Sequence, residues 1–281
     1  MTTLDAIIVG TVQGLTEFLP VSSSGHLVIV RYFYGVQDMS LSYSIMLHGG
    51  TLLAVIVALW REILDCAKLL FSGTRTGMTI LLALIIATIP GALIGYLFAS
   101  KLDTLFVEKG LIWHGVQLEP YKFVGAAMLV TAQAFLHKAN EMLKHHGDAL
   151  DHGPWYNAIT LKRAVWIGLA QAFAVVPGIS RSGATIATGI MTGLSRATAA
   201  RFSFLMAIPI VLGAVVHDLL DHRVELMYES TADLQVKCIG VAVAAVTGFI
   251  AVRFMLRWLQ THDLHDFVVY LWIVGLICIA S

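Results

Sequence analysis

The sequence predicts an all-α, polytopic membrane protein: six transmembrane helices plus two re-entrant helix–loop–helix hairpins, arranged as an inverted-topology repeat. Three observations predict it. Of the 281 residues, 13% are charged and 58% hydrophobic, with a mean hydropathy of +0.80. A soluble domain carries about 25% charged residues, so this chain has too little polar surface to face water. Its apolar runs are continuous rather than alternating, which selects helices over a barrel. Two of those runs are broken midway by proline, glycine and serine.

The first broken run is 4–34, interrupted by "EFLPVSSSGH", Glu17 to His26. Each apolar piece is about half of the roughly 20 residues that a span needs. Proline and glycine at the break stop the helix, and irregular backbone at membrane depth survives only inside protein or along a cavity. The region is therefore expected to enter and leave on one side. Three spans follow, 43–61, 78–100 and 121–138; "MTILLALIIATIPGALIGYLFAS" is the clearest. The second broken run, 160–195, is interrupted by "VVPGISRSG", Val175 to Gly183, and reads as a second hairpin. Spans 201–219, 236–256 and 265–281 complete the chain.

The two breaks resemble each other. A gapless shift of 158 residues lays Gln13 on Gln171, Ser22 on Ser180, Ser24 on Ser182 and Gly25 on Gly183. Each half then holds one hairpin and three spans, and an odd span number inverts the second copy. The whole chain is expected to be one membrane domain, with repeats near 1–140 and 155–281. Loop charge orients it. Arg61, Lys68, Arg75, Lys138, Lys144, Lys162, Arg163, Arg253 and Arg257 fall on one side. Arg31, Lys101, Lys109, Lys122, Arg223 and Lys237 fall on the other. The richer side is expected in the cytoplasm, which puts both termini and the hairpin openings outside.

Other classes are excluded. Formal net charge is zero, so no basic bias suggests nucleic acid. Cys66, Cys238 and Cys278 are scattered and odd in number, against a disulfide framework or a zinc site. "MTTLDAII" carries Asp5 and no basic n-region, unlike a cleaved signal peptide.

The breaks carry the chemistry. A half-helix that starts after a break presents unpaired N–H groups and a positive dipole end, which bind anions. Ser22, Ser23 and Ser24 add hydroxyls, and Gly25 permits close approach. The second break repeats the device in "SRSG" and adds Arg181, whose planar fork suits phosphate oxygens. An arginine at membrane depth costs at least about 2.5–3.5 kcal/mol, which an anion would offset. A plainer role for Arg181 is an internal salt bridge, with Glu17 its natural partner. A plainer role for the serines is helix capping. Gln13 and Glu17, four apart, share one helical face. His26 stands beside the acid and the serines. His48, His217 and the surface histidines 145, 146 and 152 have no such company and read as structural or solvated. A pocket with an acid, a histidine, an arginine and hydroxyls fits two classes. One is a phosphohydrolase of a lipid phosphate. The other is a transporter or flippase of an anion, which needs no nucleophile beside a base.

"VQGLTEFLPVSSSGHL" and "VVPGISRSGATI" resemble the two signature motifs of the undecaprenyl-diphosphate phosphatase family, the bacitracin-resistance proteins. "GTLLAVIVALWREI" and "SRATAARFSFLMAIPIVLGA" extend the resemblance over essentially the whole chain. The resemblance implies a bacterial inner-membrane hydrolase. Such an enzyme converts undecaprenyl diphosphate to undecaprenyl phosphate and inorganic phosphate, recycling the carrier lipid for peptidoglycan. By position it implies Glu17, Ser23, His26 and Arg181 as catalytic. It also supplies Ser180 and Ser182, and with the reading of the breaks above Gln13, Ser22, Ser24, Gly25, Ser180, Ser182, Gly183 and Thr185 are expected to bind substrate. Many members carry Glu where this chain has Gln13, so the first carboxylate of an E-x-x-x-E pair is missing here. The family also implies a divalent cation, Mg²⁺ or Ca²⁺. With Glu17 the only acid in the motif, that ion is expected mainly on the diphosphate. The lipid substrate and surrounding lipids are the expected partners, and a homodimer is compatible with the sequence. Ser23 attacks with Glu17 or His26 as base, or His26 attacks, or water attacks directly; the sequence does not separate these.

Overall fold

The computed structural model describes residues 1–36, 41–108, 111–113, 116–149, 153–221 and 230–281. Lys109, Arg223 and His152, named above, lie outside the described residues. Within them the chain forms twelve α-helices. The first five are α1 (Thr3–Phe18), α2 (Ser23–Tyr34), α3 (Leu41–Ala58), α4 (Trp60–Phe71) and α5 (Arg75–Asp103). The next two, α6 (Pro120–Val130) and α7 (Lys138–His146), are joined by a π-helical stretch, Thr131–His137. Then come α8 (Leu161–Phe173), α9 (Arg181–Met191), α10 (Arg196–Asp221), α11 (Thr231–Thr261) and α12 (His265–Ala280).

Three stretches are long and apolar enough to cross a membrane: Arg75–Phe98, Arg196–His217 and Thr231–Thr261. Met46–Ala58 and His265–Ala280 are shorter apolar helices. Together they make this a helical, multi-pass membrane protein. Pro90 and Pro209 sit inside α5 and α10 without ending them.

The elements differ from the sequence expectation in three places. The expected span 43–61 stops at Ala58, and Leu59 (φ −105°, ψ 22°) turns the chain into α4. That helix was not anticipated. None of its residues is buried, and Arg61, Glu62, Asp65 and Lys68 share it with Leu64 and an almost fully exposed Phe71. At 12 residues it is too short to cross a membrane. The expected span 121–138 starts at Pro120 and runs helically to His146. The fold is all-helical as expected but for one small ribbon among the described residues. Leu111–Trp113 pairs antiparallel with Val116–Leu118, Ile112 opposite Gln117, as a small ribbon between α5 and α6.

Both expected breaks are present. α1 ends at Phe18, and Leu19 is extended (φ −73°, ψ 147°) before Pro20. α8 ends at Phe173, and α9 starts at Arg181. The second turn needs Gly178. Its φ is +89°, and a Cβ there would lie 2.8 Å from the Ala127 Cβ and 2.9 Å from the Val124 oxygen. The first turn places a non-glycine residue, Ser22, at φ 72°, the only such residue among those described.

Packing is reciprocal between the two halves. α1 lies on α11, and α8 lies on α5. α3 packs on α10, and α6 on α12. Close approach uses small residues: a Cβ on Gly168 would stand 2.8 Å from the Ala87 Cα. The main core gathers Phe18, Phe202, Phe204, Met128 and Met206 beneath the breaks. Phe18 and Phe204 meet edge to face at 5.5 Å.

Candidate active site

The two breaks meet, and their serines set the geometry. Ser22 caps α2 by accepting from the Gly25 amide at 3.2 Å. Ser180 caps α9 by accepting from the Gly183 amide at 3.0 Å. Two residues on, Ser24 lies 3.4 Å from the Ser22 hydroxyl, and Ser182 lies 3.2 Å from the Ser180 hydroxyl. Each then crosses to the other break. The Gly178 amide donates to Ser24 Oγ at 3.3 Å, and Ser182 Oγ donates to the Leu19 carbonyl at 2.8 Å. Two helix N-termini are thereby held side by side. Gly25 and Gly183 are needed for fit. A Cβ on Gly25 would meet Val124 Cγ1 at 2.9 Å, and one on Gly183 would meet Thr131 Cγ2 at 3.1 Å.

Glu17 lies where the helix ends converge, 7% exposed. Its Oε2 accepts from Ser23 Oγ at 2.6 Å and from Gln13 Nε2 at 2.9 Å. Its Oε1 accepts from Arg181 Nη2 at 2.5 Å. Ser23 and Arg181 are each the first residue of their half-helix, so equivalent positions grip opposite oxygens of one carboxylate. The ion pair anticipated as the plainer role of Arg181 is thus present. It does not exhaust the guanidinium. Arg181 Nη1 is buried and has no hydrogen-bond partner among the described residues. Gln13 Oε1 is in the same condition.

His26 does not join this cluster. Its Nδ1 is 2.7 Å from the Ser22 carbonyl, which only accepts, so Nδ1 carries the proton. Its Nε2 is then left to accept from the Tyr270 hydroxyl at 2.6 Å, with the two rings stacked. Thr185 is also apart. Its hydroxyl is 2.6 Å from Ser203 and donates to the Arg181 carbonyl at 2.8 Å, tying α9 to α10.

Three participants were not read from the sequence. Thr131, on the π-helical stretch, accepts from the Ser180 amide at 3.1 Å. Tyr270 comes from α12. His48 was read as structural, yet α3 brings its Nε2 to 3.7 Å from Glu17 Oε2. A histidine followed by Gly49, Gly50 and Thr51 inside an apolar helix is the signal that could have found it. The described residues hold no group of three or more His, Cys, Asp or Glu close enough to ligate a metal. The sole acid of the site is already shared between Ser23, Gln13 and Arg181, so these side chains do not build a resident metal cage.

A family model described as "Bacitracin resistance protein BacA" matches residues 6–277. This chain belongs to that family. A relative from Desulforudis audaxviator, "Undecaprenyl-diphosphatase", is 37% identical over 98% of this chain and 96% of its own. A relative of the same name from Moorella thermoacetica is 36% identical over 92% and 90%. One from Caldicellulosiruptor bescii is 35% identical over 100% and 97%. The BacA-family match contains both breaks and therefore the whole cluster.

Proposed function

We propose that this chain is an undecaprenyl-diphosphatase, hydrolysing undecaprenyl diphosphate to undecaprenyl phosphate and inorganic phosphate. The observation that carries the activity is identity of about one residue in three, over nearly the full length, to relatives bearing that name. The geometry supports a mechanism. Ser23 already donates to a carboxylate, the arrangement an activated hydroxyl nucleophile needs. In this reading the diphosphate enters between the two helix ends. Arg181 turns from Glu17 to the phosphate oxygens, and its unpartnered Nη1 gains an acceptor. The Ser23 proton passes to Glu17, the Ser23 oxygen–phosphorus bond forms, and the bond to the bridging oxygen breaks. Glu17 gives that proton to the freed bridging oxygen, and undecaprenyl phosphate leaves. Water then attacks the phosphoserine, Glu17 takes the water proton and passes it to the Ser23 oxygen as the serine oxygen–phosphorus bond breaks, and phosphate departs with Ser23 restored. The helix N-termini and Arg181 stabilise charge on the transferring group. His26, engaged with Ser22 and Tyr270, holds the first turn against α12, which supports Glu17 over His26 as the base.

In this reading Mg²⁺ or Ca²⁺ arrives chelated by the diphosphate itself, as part of the substrate, and no step is assigned to it. The chain would sit in a bacterial inner membrane with six spans and two re-entrant hairpins. Both termini and the site would open outside. Reciprocal packing of α1 on α11 and α8 on α5 supports an inverted repeat. Purified protein in detergent should release phosphate from long-chain polyprenyl diphosphates and act poorly on water-soluble phosphate esters. Saturable anion uptake into proteoliposomes without phosphate release would replace this reading with a transporter.

A further inference from the structure

His48 lies outside both sequence motifs, yet its ring reaches the Glu17 cluster. Glu17 is buried, and a buried carboxylate left without a counter-charge is strongly disfavoured. In this structure Arg181 on Oε1 supplies that charge. The proposed reaction needs Arg181 on the phosphate oxygens, and Glu17 then loses this partner. His48 stands at the other oxygen, 3.7 Å from Oε2. Its Nδ1 lies 2.7 Å from the Ser44 carbonyl, one helical turn back on α3, so Nδ1 carries a proton. A second proton, on Nε2, is what lets the ring face a carboxylate favourably. The ring is oriented by its own helix and does not depend on Arg181.

We infer that His48 is a positioning residue, the standing counter-charge of Glu17 that frees Arg181 to move from the carboxylate to the diphosphate. The inference rests on the hydrolase reading of the site. While Arg181 is engaged elsewhere, His48 keeps Glu17 ionised and aimed at Ser23. Without His48, Arg181 stays on Glu17 and the diphosphate must compete for it. The defect then falls first on substrate binding. Folding is spared, because the Glu17–Arg181 pair is intact in the resting protein.

The test is steady-state hydrolysis of undecaprenyl diphosphate by purified protein in detergent, with thermal unfolding measured alongside. His48→Leu removes the charge and the donor; His48→Gln returns an N–H donor near the position of Nε2. His48→Leu is expected to unfold within about 4 °C of the parent. Its KM should rise about 30-fold while kcat falls less than about 5-fold. His48→Gln, which lacks the charge, should keep a KM at least about 10-fold above the parent. A His48→Leu protein with parental KM and kcat overturns the inference, and so does a His48→Gln protein with parental KM. If His48→Leu fails to fold, His48→Asn decides, since its amide carries no charge and is too short to reach Glu17. An Asn variant with the KM defect supports the inference, and one with parental KM overturns it. Glu17→Gln and Ser23→Ala are run beside these. If both remain active, the hydrolase site itself is misplaced. If both are dead while His48→Leu is normal, only the role of His48 is lost.

Discussion

At Glu17 two carboxylate oxygens serve Ser23, Gln13, Arg181 and His48, and the consequences differ for each. Glu17→Gln leaves no base for Ser23 and should abolish turnover. Gln13 only donates to the same oxygen, so Gln13→Ala should retain a measurable fraction of the rate. Turnover in Gln13→Ala as low as in Glu17→Gln would show that one carboxylate is not enough. Arg181 separates clamp from strut. Lysine keeps the charge and loses the planar fork. Arg181→Lys should therefore stay folded in detergent, near parental thermal stability. Its rate should fall at least about 100-fold, roughly 2.7 kcal/mol of transition-state stabilisation. Near-normal turnover in that variant would leave Arg181 as the partner of Glu17 and nothing more.

At the scale of elements, the breaks were legible because proline, glycine and serine interrupt an apolar run only where protein can satisfy the backbone. Their serine caps followed from the same residues. The short exposed helix α4 was missed because Trp60 and Arg61 read as the end of the preceding span. The ribbon strands Leu111–Trp113 and Val116–Leu118 are too short to show a period of two. His48 was missed for a different reason: its partner is 31 residues earlier in sequence, and only the packing of α3 beside α1 makes them neighbours. The second break makes its own prediction. Gly178 is needed for its positive φ and for its closeness to Val124 and Ala127. Gly178→Ala should destabilise the protein by about 1–3 kcal/mol, read as a lower unfolding temperature. It should also lower turnover, since the Gly178 amide holds Ser24 in place. Parental stability in Gly178→Ala would show that the turn tolerates a side chain.

For the whole molecule, two labelling experiments are informative, one on α4 and one at the C-terminus. Cys66 lies on that helix, and partial burial first, then Asp65 and Glu62, pushes its thiol up to about 11. A raised thiol pKa leaves little thiolate at neutral pH, so labelling by a maleimide should be slow there. It should quicken about tenfold per pH unit through the range below that value. In cells carrying Ser281→Cys with Cys66, Cys238 and Cys278 replaced, an impermeant reagent should label the C-terminus without permeabilisation. Labelling only after permeabilisation would invert the proposed topology. The paired breaks carry one more consequence, concerning symmetry. Their caps and cross-braces are nearly interchangeable, yet at equivalent positions one side has Ser23 and Glu17 where the other has Arg181 and Val175. Two identical halves would set carboxylate against carboxylate, or guanidinium against guanidinium, across the junction. The difference between the halves gives the junction a polarity, an acceptor of protons on one side and a holder of anions on the other. Neither half owns the chemistry; it exists only in the mismatch between them.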